Sequence, residues 1–183
     1  MFARAPVPGR AKTRLIPLLG KKGAARLAGQ MLAKTLRTAR AAGFAPELLL
    51  SALQGPGDLG ARMHRAFKRV LQEHEAAILI GSDCPALKPA DLRAAARALR
   101  AGADAVLAPA EDGGYSLIGL RRVSRRMFDG IAWGGPLVMA QTRRRLRALG
   151  WRWKELRTLW DVDRPEDVAR LRRSRLLRAR QTS

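Results

Sequence analysis

The sequence predicts a three-layer α/β fold in which helices cover both faces of a mostly parallel sheet. Short apolar runs typical of buried strands alternate with longer stretches whose apolar residues recur at helical spacing. Such alternation connects parallel strands through helices. Glycine-rich and acidic segments also follow several predicted strands, where open α/β sheets bind their ligands. The two observations together predict both the fold class and the edge of the sheet that carries function.

The predicted elements occupy most of the chain. Helical spacing predicts helices over residues 24–42, 59–75, 89–100, 137–149 and 165–177. Apolar runs predict strands over residues 47–53, 76–80, 104–108, 115–120 and 153–159. A chain of 183 residues suits one domain, which we assign to residues 1–171. Residues 172–183 are rich in arginine and lack apolar periodicity, so we expect a frayed tail.

Composition excludes several classes of protein. The chain lacks an apolar run long enough to span a bilayer, and its start does not resemble a signal peptide, so we expect a cytoplasmic protein. Cys84 is the single cysteine, which excludes an intramolecular disulfide and a cysteine-based metal site. Cys84 is expected to be a small buried residue.

Charge is the unusual feature of the composition. Lysine and arginine number 36 against 15 acidic residues, which gives a net charge of +21, and the arginines concentrate after Arg121. Such a balance attracts polyanions, so nucleic acid is one partner to consider. Solvated arginine-rich helix faces are the simpler explanation, and we favour it.

The first candidate site segment is the loop that follows Phe2. Two prolines and a glycine can bring backbone N–H groups to phosphate oxygens, while three basic side chains supply positive charge. The phosphate-binding candidates are Pro8, Gly9, Arg10, Lys12 and Arg14. A surface turn with incidental basic residues is the alternative.

A second, weaker candidate precedes the helix predicted at residue 59. Gly57 and Asp58 could present the amino terminus of that helix to the phosphates of a nucleotide. The alternative is that Asp58 simply caps the helix.

Asp83 directly follows a predicted apolar strand. A carboxylate at that edge of the sheet can ligate Mg²⁺ or Mn²⁺, which prefer oxygen donors and keep waters and substrate phosphates as further ligands. Gly81 and Ser82 leave its approach uncrowded. A turn-forming aspartate before Pro85 is the alternative.

Two acidic segments occur later in the chain. The segment Glu111-Asp112-Gly113-Gly114-Tyr115 suits contacts to substrate hydroxyls or a metal, although Asp-Gly also builds hairpin turns. In Trp160-Asp161-Val162-Asp163, two alternating carboxylates could complete a metal site; alternatively, Asp163 could cap the helix that begins near Pro165.

Taken together, five segments resemble a bacterial family often labelled glycosyltransferases of the arsenosugar-biosynthesis type. The segments are ARAPVPGRAKTRL, QGPGDLGARM, IGSDCPAL, PAEDGGYSLIGL and WDVDRPEDVARL, and their order and spacing agree from Phe2 to Leu171. More remotely, the layout is similar to 2-phospholactate guanylyltransferase and molybdenum-cofactor guanylyltransferase. The resemblance implies a glycosyltransferase-A fold, also called the nucleotide-diphospho-sugar transferase fold.

The resemblance also implies roles for individual residues. It implies phosphate contacts for Arg10, Lys12 and Arg14, and a magnesium ligand at Asp83. It places Asp112, Gly113 and Gly114 near the second substrate and makes Asp163 the second metal ligand.

The chain departs from that family at three places. Only Met1-Phe2-Ala3 precede the basic loop, so we expect a truncated first strand. A helix and strand usual in the relatives are expected to be missing between Leu50 and Gln54. Trp133-Gly134-Gly135 stands where Trp-Ser-Thr is more usual, which removes two hydroxyls.

Three functions follow as hypotheses. The first is metal-dependent glycosyl transfer from a nucleotide-diphospho-sugar, with Asp83 and Asp112 as catalytic residues and a small-molecule acceptor. The second is nucleotidyl transfer from a nucleoside triphosphate to an acceptor phosphate or carboxylate. The third is a non-catalytic derivative of the fold that binds a polyanion through its arginine-rich half. The sequence does not indicate an oligomeric state.

Overall fold

The computed structural model describes residues 1–174 and 176–177. The strands assigned within these residues are β1 (Phe2–Ala3), β2 (Leu49–Leu50), β3 (Ala77–Ile80), β4 (Ala105–Pro109), β5 (Tyr115–Leu120) and β6 (Trp153–Glu155). The α-helices assigned there are α1 (Ile16–Ala41), α2 (Leu59–Val70), α3 (Pro89–Arg100), α4 (Val138–Ala148) and α5 (Pro165–Ser174). The frayed tail predicted for residues 172–183 falls largely outside the described residues, and α5 continues through Ser174.

The main sheet has the strand order β3-β5-β4-β6. Strands β4 and β6 are parallel, whereas β5 runs antiparallel to both of its neighbours, β3 and β4. The α/β fold is therefore confirmed with a mixed sheet, in which β5 alone reverses direction among the four strands described here. The reversal occurs because a short turn, and not a helix, connects β4 to β5. Strands β1 and β2 form a separate parallel pair.

Several elements differ in length from the predictions. Helix α1 begins at Ile16, and Gly20 interrupts it with a φ of 68°. The strand predicted over residues 47–53 is limited to Leu49–Leu50, which pair with Phe2 and Ala3 of β1. A 3₁₀ turn at Ser51–Leu53 fills the interval where a helix and strand were expected to be missing.

Helices cover both faces of the sheet. On one face, Val106 and Ala108 of β4 pack in a core cluster with Leu92 and Leu99 of α3. On the other face, the alternate β4 residues pack with α2 and α4; this second cluster includes Ala105, Leu107, Phe67, Met139 and Leu146. The predicted three layers are confirmed. Among the described residues, no helix combines the length and apolar character needed to cross a membrane.

Candidate functional site

A polar cleft lies where the loop after β1 meets the end of β3. Its volume is about 320 Å³. Cationic and anionic side chains share its wall, which consists of Arg4, Ala11, Lys12, Thr13, Arg14, Ala28, Ser82, Asp83 and Asp163. The structure thus brings together four of the residues that the sequence assigns to phosphate and metal binding.

A tight turn positions Lys12 in this cleft. The N–H of Arg10 donates to the carbonyl of Val7 at 3.0 Å, and Gly9 has a φ of 80°, as expected for glycine at the third position of a type II turn. Pro8 and Gly9 therefore build the turn, whereas the exposed Arg10 lies outside the residues that line the cleft in the described part of the chain.

Lys12 is the most constrained cation of the cleft. Its backbone is left-handed, with a φ of 48°, which is uncommon for a residue other than glycine. Its ammonium donates to the carbonyl of Val162 and lies 2.9 Å from Oδ1 of Asp83. The lysine side chain is only 5% exposed, so its charge is held at one position on the cleft floor.

Arg14 and Asp163 form a second ion pair across the cleft. Nη1 of Arg14 donates to Oδ2 of Asp163, and both side chains remain substantially exposed. The alternative role for Asp163, capping α5, belongs to Asp167, whose carboxylate accepts from the N–H groups of Asp163 and Arg164 at 2.9 and 2.7 Å. The Asp163 carboxylate is therefore directed to the cleft pair.

Backbone hydrogen bonds fix the segment that carries Asp163. The N–H of Leu159 donates to the carbonyl of Pro109 at 2.8 Å, and the N–H of Val162 donates to the carbonyl of Asp83 at 2.9 Å. The segment is thus joined to the end of β4 on one side and to the end of β3 on the other. These contacts hold the cleft residues in register.

Asp161, one of the two alternating carboxylates that the sequence offers for a metal site, lies between those two anchor points. Burial, followed by the negative charge of Asp112, raises the pKa of Asp161 to about 6, and the charge of Asp83 acts in the same direction. Lys12 opposes the shift. In the sequence, the alternation Asp161-Val162-Asp163 indicates that the two carboxylates lie on one side of the segment, because residues i and i+2 of an extended segment share a face.

The donor chemistry of the cleft fits a divalent cation. Asp83 and Asp163 supply the hard carboxylate oxygens that Mg²⁺ and Mn²⁺ favour. Over the residues that the structure describes, no group of three or more His, Cys, Asp or Glu side chains could hold a metal by itself. A two-carboxylate set is what Mg²⁺ uses when substrate phosphates and waters complete its shell.

The Asp112-Gly113 segment forms the hairpin turn between β4 and β5. The N–H of Gly113 donates to the carbonyl of Ala110 at 3.0 Å, and Oδ1 of Asp112 accepts from the N–H of Gly114 at 2.9 Å. Gly113 has a φ of 89°, and a Cβ atom there would lie 2.0 Å from the carbonyl oxygen of Pro136. The hairpin alternative is therefore correct, and the exposed Asp112 remains a candidate for substrate contact.

Two of the predicted acceptor residues have other partners. Glu111 accepts from Nη1 and Nη2 of Arg170 at 2.5 and 3.0 Å, which ties the hairpin to α5. The Tyr115 hydroxyl lies 4.0 Å from Sδ of Met63, and burial raises the pKa of that hydroxyl. Glu111 is thus paired and the Tyr115 hydroxyl points into the core, and their contact with an acceptor stays a prediction.

Asp58 caps helix α2. Its Oδ1 accepts from the N–H of Ala61 at 2.8 Å, which satisfies a free donor of the first turn. Among the described residues that line the cleft, neither Gly57 nor Asp58 is present. The capping alternative is therefore observed, and the phosphate role of Gly57 and Asp58 stays a prediction.

The fold and the charged cleft define an α/β protein of the nucleotide-diphospho-sugar transferase structural class. The family model described as "Uncharacterized protein conserved in bacteria (DUF2064)" matches residues 23–135, and the chain belongs to this family. No curated protein matches the sequence.

Solved structures agree with this class. A protein from Desulfovibrio desulfuricans, described provisionally as a nucleotide-diphospho-sugar transferase, is 28% identical, with a TM-score of 0.85 over 100% of this chain and 87% of that one. CMP:2-keto-3-deoxy-manno-octonic acid synthetase, solved with CTP, is 12% identical, with a TM-score of 0.55 over 79% and 87% of the two chains. A Mycobacterium tuberculosis protein is 22% identical, with a TM-score of 0.50 over 81% and 84%. The last two similarities show the fold alone, and the resemblance to this superfamily is confirmed.

Proposed function

We propose that this protein is a transferase that moves a sugar from a nucleotide-diphospho-sugar to a small-molecule acceptor, with Mg²⁺ or Mn²⁺ as cofactor. The observation that carries the proposal is the pairing of Lys12 with Asp83 and of Arg14 with Asp163 in one cleft. The structural similarity to the Desulfovibrio desulfuricans protein supports the transferase class.

The cleft charges suit a diphosphate accompanied by a divalent cation. Two cations and two carboxylates neutralise one another in the free protein. When a diphosphate enters, Arg14 can turn to its oxygens, and the exposed Asp83 can move away from the fixed ammonium of Lys12, which frees Asp83 and Asp163 for the metal. Bound there, the metal would neutralise negative charge on the departing diphosphate.

Lys12 and Arg14 contribute differently to substrate binding, because their side chains differ in exposure. Lys12 is buried, so its ammonium keeps one position and contacts phosphate with little loss of side-chain entropy. Arg14 is 66% exposed, so its guanidinium can exchange Asp163 for a bidentate phosphate contact. Lys12 therefore positions the donor, and Arg14 closes over it.

Asp112 is the acceptor-side residue in this proposal. It is exposed at the hairpin turn, and its charge contributes to the raised pKa of Asp161, which places the two carboxylates within electrostatic range. An acceptor hydroxyl that hydrogen bonds to Asp112 would thus lie on the β4 side of the cleft. Glu111 ties this turn to α5 through its ion pair with Arg170.

Nucleotidyl transfer is the second candidate function, and one observation favours it. Arg4 lines the cleft together with Lys12 and Arg14, so three cationic side chains surround a small volume. Three cations suit the higher charge of a triphosphate, whose α-phosphorus an acceptor phosphate or carboxylate would attack with release of pyrophosphate.

Calorimetric titration in Mg²⁺ separates the two reactions. We expect binding of UDP-glucose or GDP-mannose in preference to CTP and GTP, and turnover without pyrophosphate. Preference for a nucleoside triphosphate, with pyrophosphate release, would replace glycosyl by nucleotidyl transfer. Asp83→Asn should abolish the metal dependence of binding, while Asp129→Asn, which removes an exposed carboxylate paired with Arg125, serves as the matched control.

A further inference from the structure

Arginines gather at the sheet edge opposite the cleft, where β4 and β6 begin and β5 ends. The N–H of Arg121 donates to the carbonyl of Asp104 at 3.1 Å, and the N–H of Asp104 donates to the carbonyl of Arg152 at 2.7 Å. Arg121 and Arg152 therefore flank the start of β4. Ser82 and Asp83 of the cleft follow the carboxyl end of β3, which runs in the same direction as β4, so the cleft lies at the other end of the strands and is separate from this surface.

Further arginines join this edge from neighbouring elements. Arg100 ends α3, Arg122 follows Arg121, and the Arg147 guanidinium from the last turn of α4 lies 5.8 Å from the ring centroid of Trp153. We call this set the basic edge; its members are Arg100, Arg121, Arg122, Arg147 and Arg152, and all five are exposed.

A single carboxylate is in contact with the basic edge in the described structure. Oδ1 of Asp104 lies 3.0 Å from Nε of Arg122, and its Oδ2 accepts from the N–H of Arg152 at 2.8 Å. The Asp104 side chain is 17% exposed, so little of its charge reaches solvent. Helix carboxyl ends also favour basic residues, but Arg121, Arg122 and Arg152 are not on helices, so helix stabilisation does not account for them.

The side chains of the basic edge suit phosphate more than bases. All are arginines, whose guanidinium groups bind phosphate oxygens bidentately. The nearby aromatic rings are already covered: Arg122 lies over Trp151 at 5.0 Å, and Trp151 is buried. Arg147 lies near the partly buried Trp153, so arginine, and not an open aromatic face, is the main contact group that this surface offers, and contact with the sugar-phosphate backbone is the binding mode that we infer.

We propose that the basic edge binds nucleic acid through its phosphates, without sequence preference. Adjacent strands lie about 4.8 Å apart, so the ends of β5, β4 and β6 spread the arginines over roughly 10 Å, enough to meet successive phosphates. This binding is additional to the proposed transferase function and does not depend on it.

Fluorescence anisotropy of a labelled uridine 20-mer, titrated with the full chain between 50 and 300 mM salt, tests the proposal. We expect log affinity to fall linearly with log salt, with a slope of about −0.7 for each phosphate contacted. The variant Arg100→Ser/Arg121→Ser/Arg147→Ser should weaken binding at least tenfold near 0.1 M salt and reduce the slope by about 2. The corresponding triple Arg→Lys variant should retain most of the slope.

The matched control removes three charges from exposed positions of α1, in Lys22→Ser/Arg26→Ser/Arg37→Ser. If this control weakens oligonucleotide binding as much as the basic-edge variant does, net charge and not the position of the arginines determines the affinity, and the proposal is wrong. Absence of oligonucleotide binding at 50 mM salt, or binding only to phosphatidylserine vesicles, would also overturn it. The nucleotide affinity of the same variants should be unchanged. Nucleotide titration therefore tests the transferase proposal separately from the oligonucleotide binding of the basic edge.

Discussion

Lys12 and Asp83 form an ion pair of unequal exposure. Nζ of Lys12 lies 2.9 Å from Oδ1 of Asp83, yet 5% of the lysine side chain is exposed against 53% of the aspartate side chain. The ammonium of Lys12 donates a hydrogen bond to the carbonyl of Val162, while the carboxylate of Asp83 faces solvent. The lysine therefore has a fixed place on the floor of the cleft, and the aspartate has the freedom to change partners.

Replacement of Lys12 by methionine should weaken nucleotide binding by at least tenfold. A charge-assisted hydrogen bond contributes about 1.5–3 kcal/mol, and methionine retains most of the volume of the buried side chain. Calorimetric titration in Mg²⁺ measures the loss, with Lys22→Met, an exposed lysine of α1, as the control. Unchanged affinity in the Lys12 variant would remove the basic loop from the phosphate site.

The meeting of Lys12, Asp83 and Asp163 could be predicted because it depends on local sequence. Each residue follows an apolar run or precedes a helix, and the topology of an α/β sheet brings the carboxyl ends of its parallel strands to one edge. The order of motifs along the chain was therefore sufficient to predict which loops share the cleft, although the partners within it were not predicted.

The remaining site residues depend on contacts between distant segments. Arg170 pairs with Glu111, which lies 59 residues earlier in the chain. The Tyr115 hydroxyl contacts Met63 because β5 reverses direction at the hairpin. Alternation of strands and helices predicts parallel neighbours, so the antiparallel β5 was missed although the Asp-Gly turn signal was present. The sequence offers Asp161 as a metal-site carboxylate, but not its burial, because burial is a property of the assembled segment and not of its own sequence.

Gly113→Ala should destabilise the protein by about 2–4 kcal/mol. Its φ of 89° disfavours any side chain, and the added Cβ would lie 2.0 Å from the carbonyl oxygen of Pro136, so backbone would have to move. Gly134→Ala is the matched control: its φ is 81°, but a Cβ there has no described atom within 4 Å, so roughly 1 kcal/mol is expected. Urea denaturation compares the two variants, and equal losses would contradict the close approach of Pro136.

Asp91 and Arg157 should contribute stability that is lost in acid. Nε and Nη2 of Arg157 donate to the Asp91 carboxylate at 2.9 and 2.7 Å, and the N–H of Lys88 donates at 2.8 Å. Burial opposes ionisation, but these hydrogen bonds outweigh it and lower the pKa of Asp91 below its ordinary value. A lowered folded-state pKa stabilises the protein above the unfolded value of about 3.9, and this contribution disappears as pH falls through the folded pKa.

Asp91→Asn should therefore cost about 1–3 kcal/mol at pH 7. The difference from wild type should shrink as pH falls below about 4, because the unfolded wild-type Asp91 takes up a proton there, and it should vanish once the folded carboxyl is protonated at its lower pKa. Urea unfolding at a series of pH values measures both free energies. The exposed Asp129→Asn serves as the control, and a wild-type advantage that persists at the lowest pH would show that packing, not charge, accounts for the effect.

Asp161→Asn should raise stability while lowering transferase activity. Burial is the largest cause of the raised pKa of Asp161, and the negative charges of Asp112 and Asp83 add to it, so removal of the charge should stabilise the fold by roughly 1–2 kcal/mol at neutral pH in metal-free buffer. The same arrangement would attract the cations that accompany a diphosphate substrate, so the neutral variant should bind Mg²⁺ with nucleotide more weakly. Thermal unfolding in EDTA and calorimetric titration in Mg²⁺ measure the two effects. A variant that is stabilised but binds nucleotide as wild type does would restrict Asp161 to a structural role, whereas a destabilised variant would show that the carboxylate has a compensating partner in the fold.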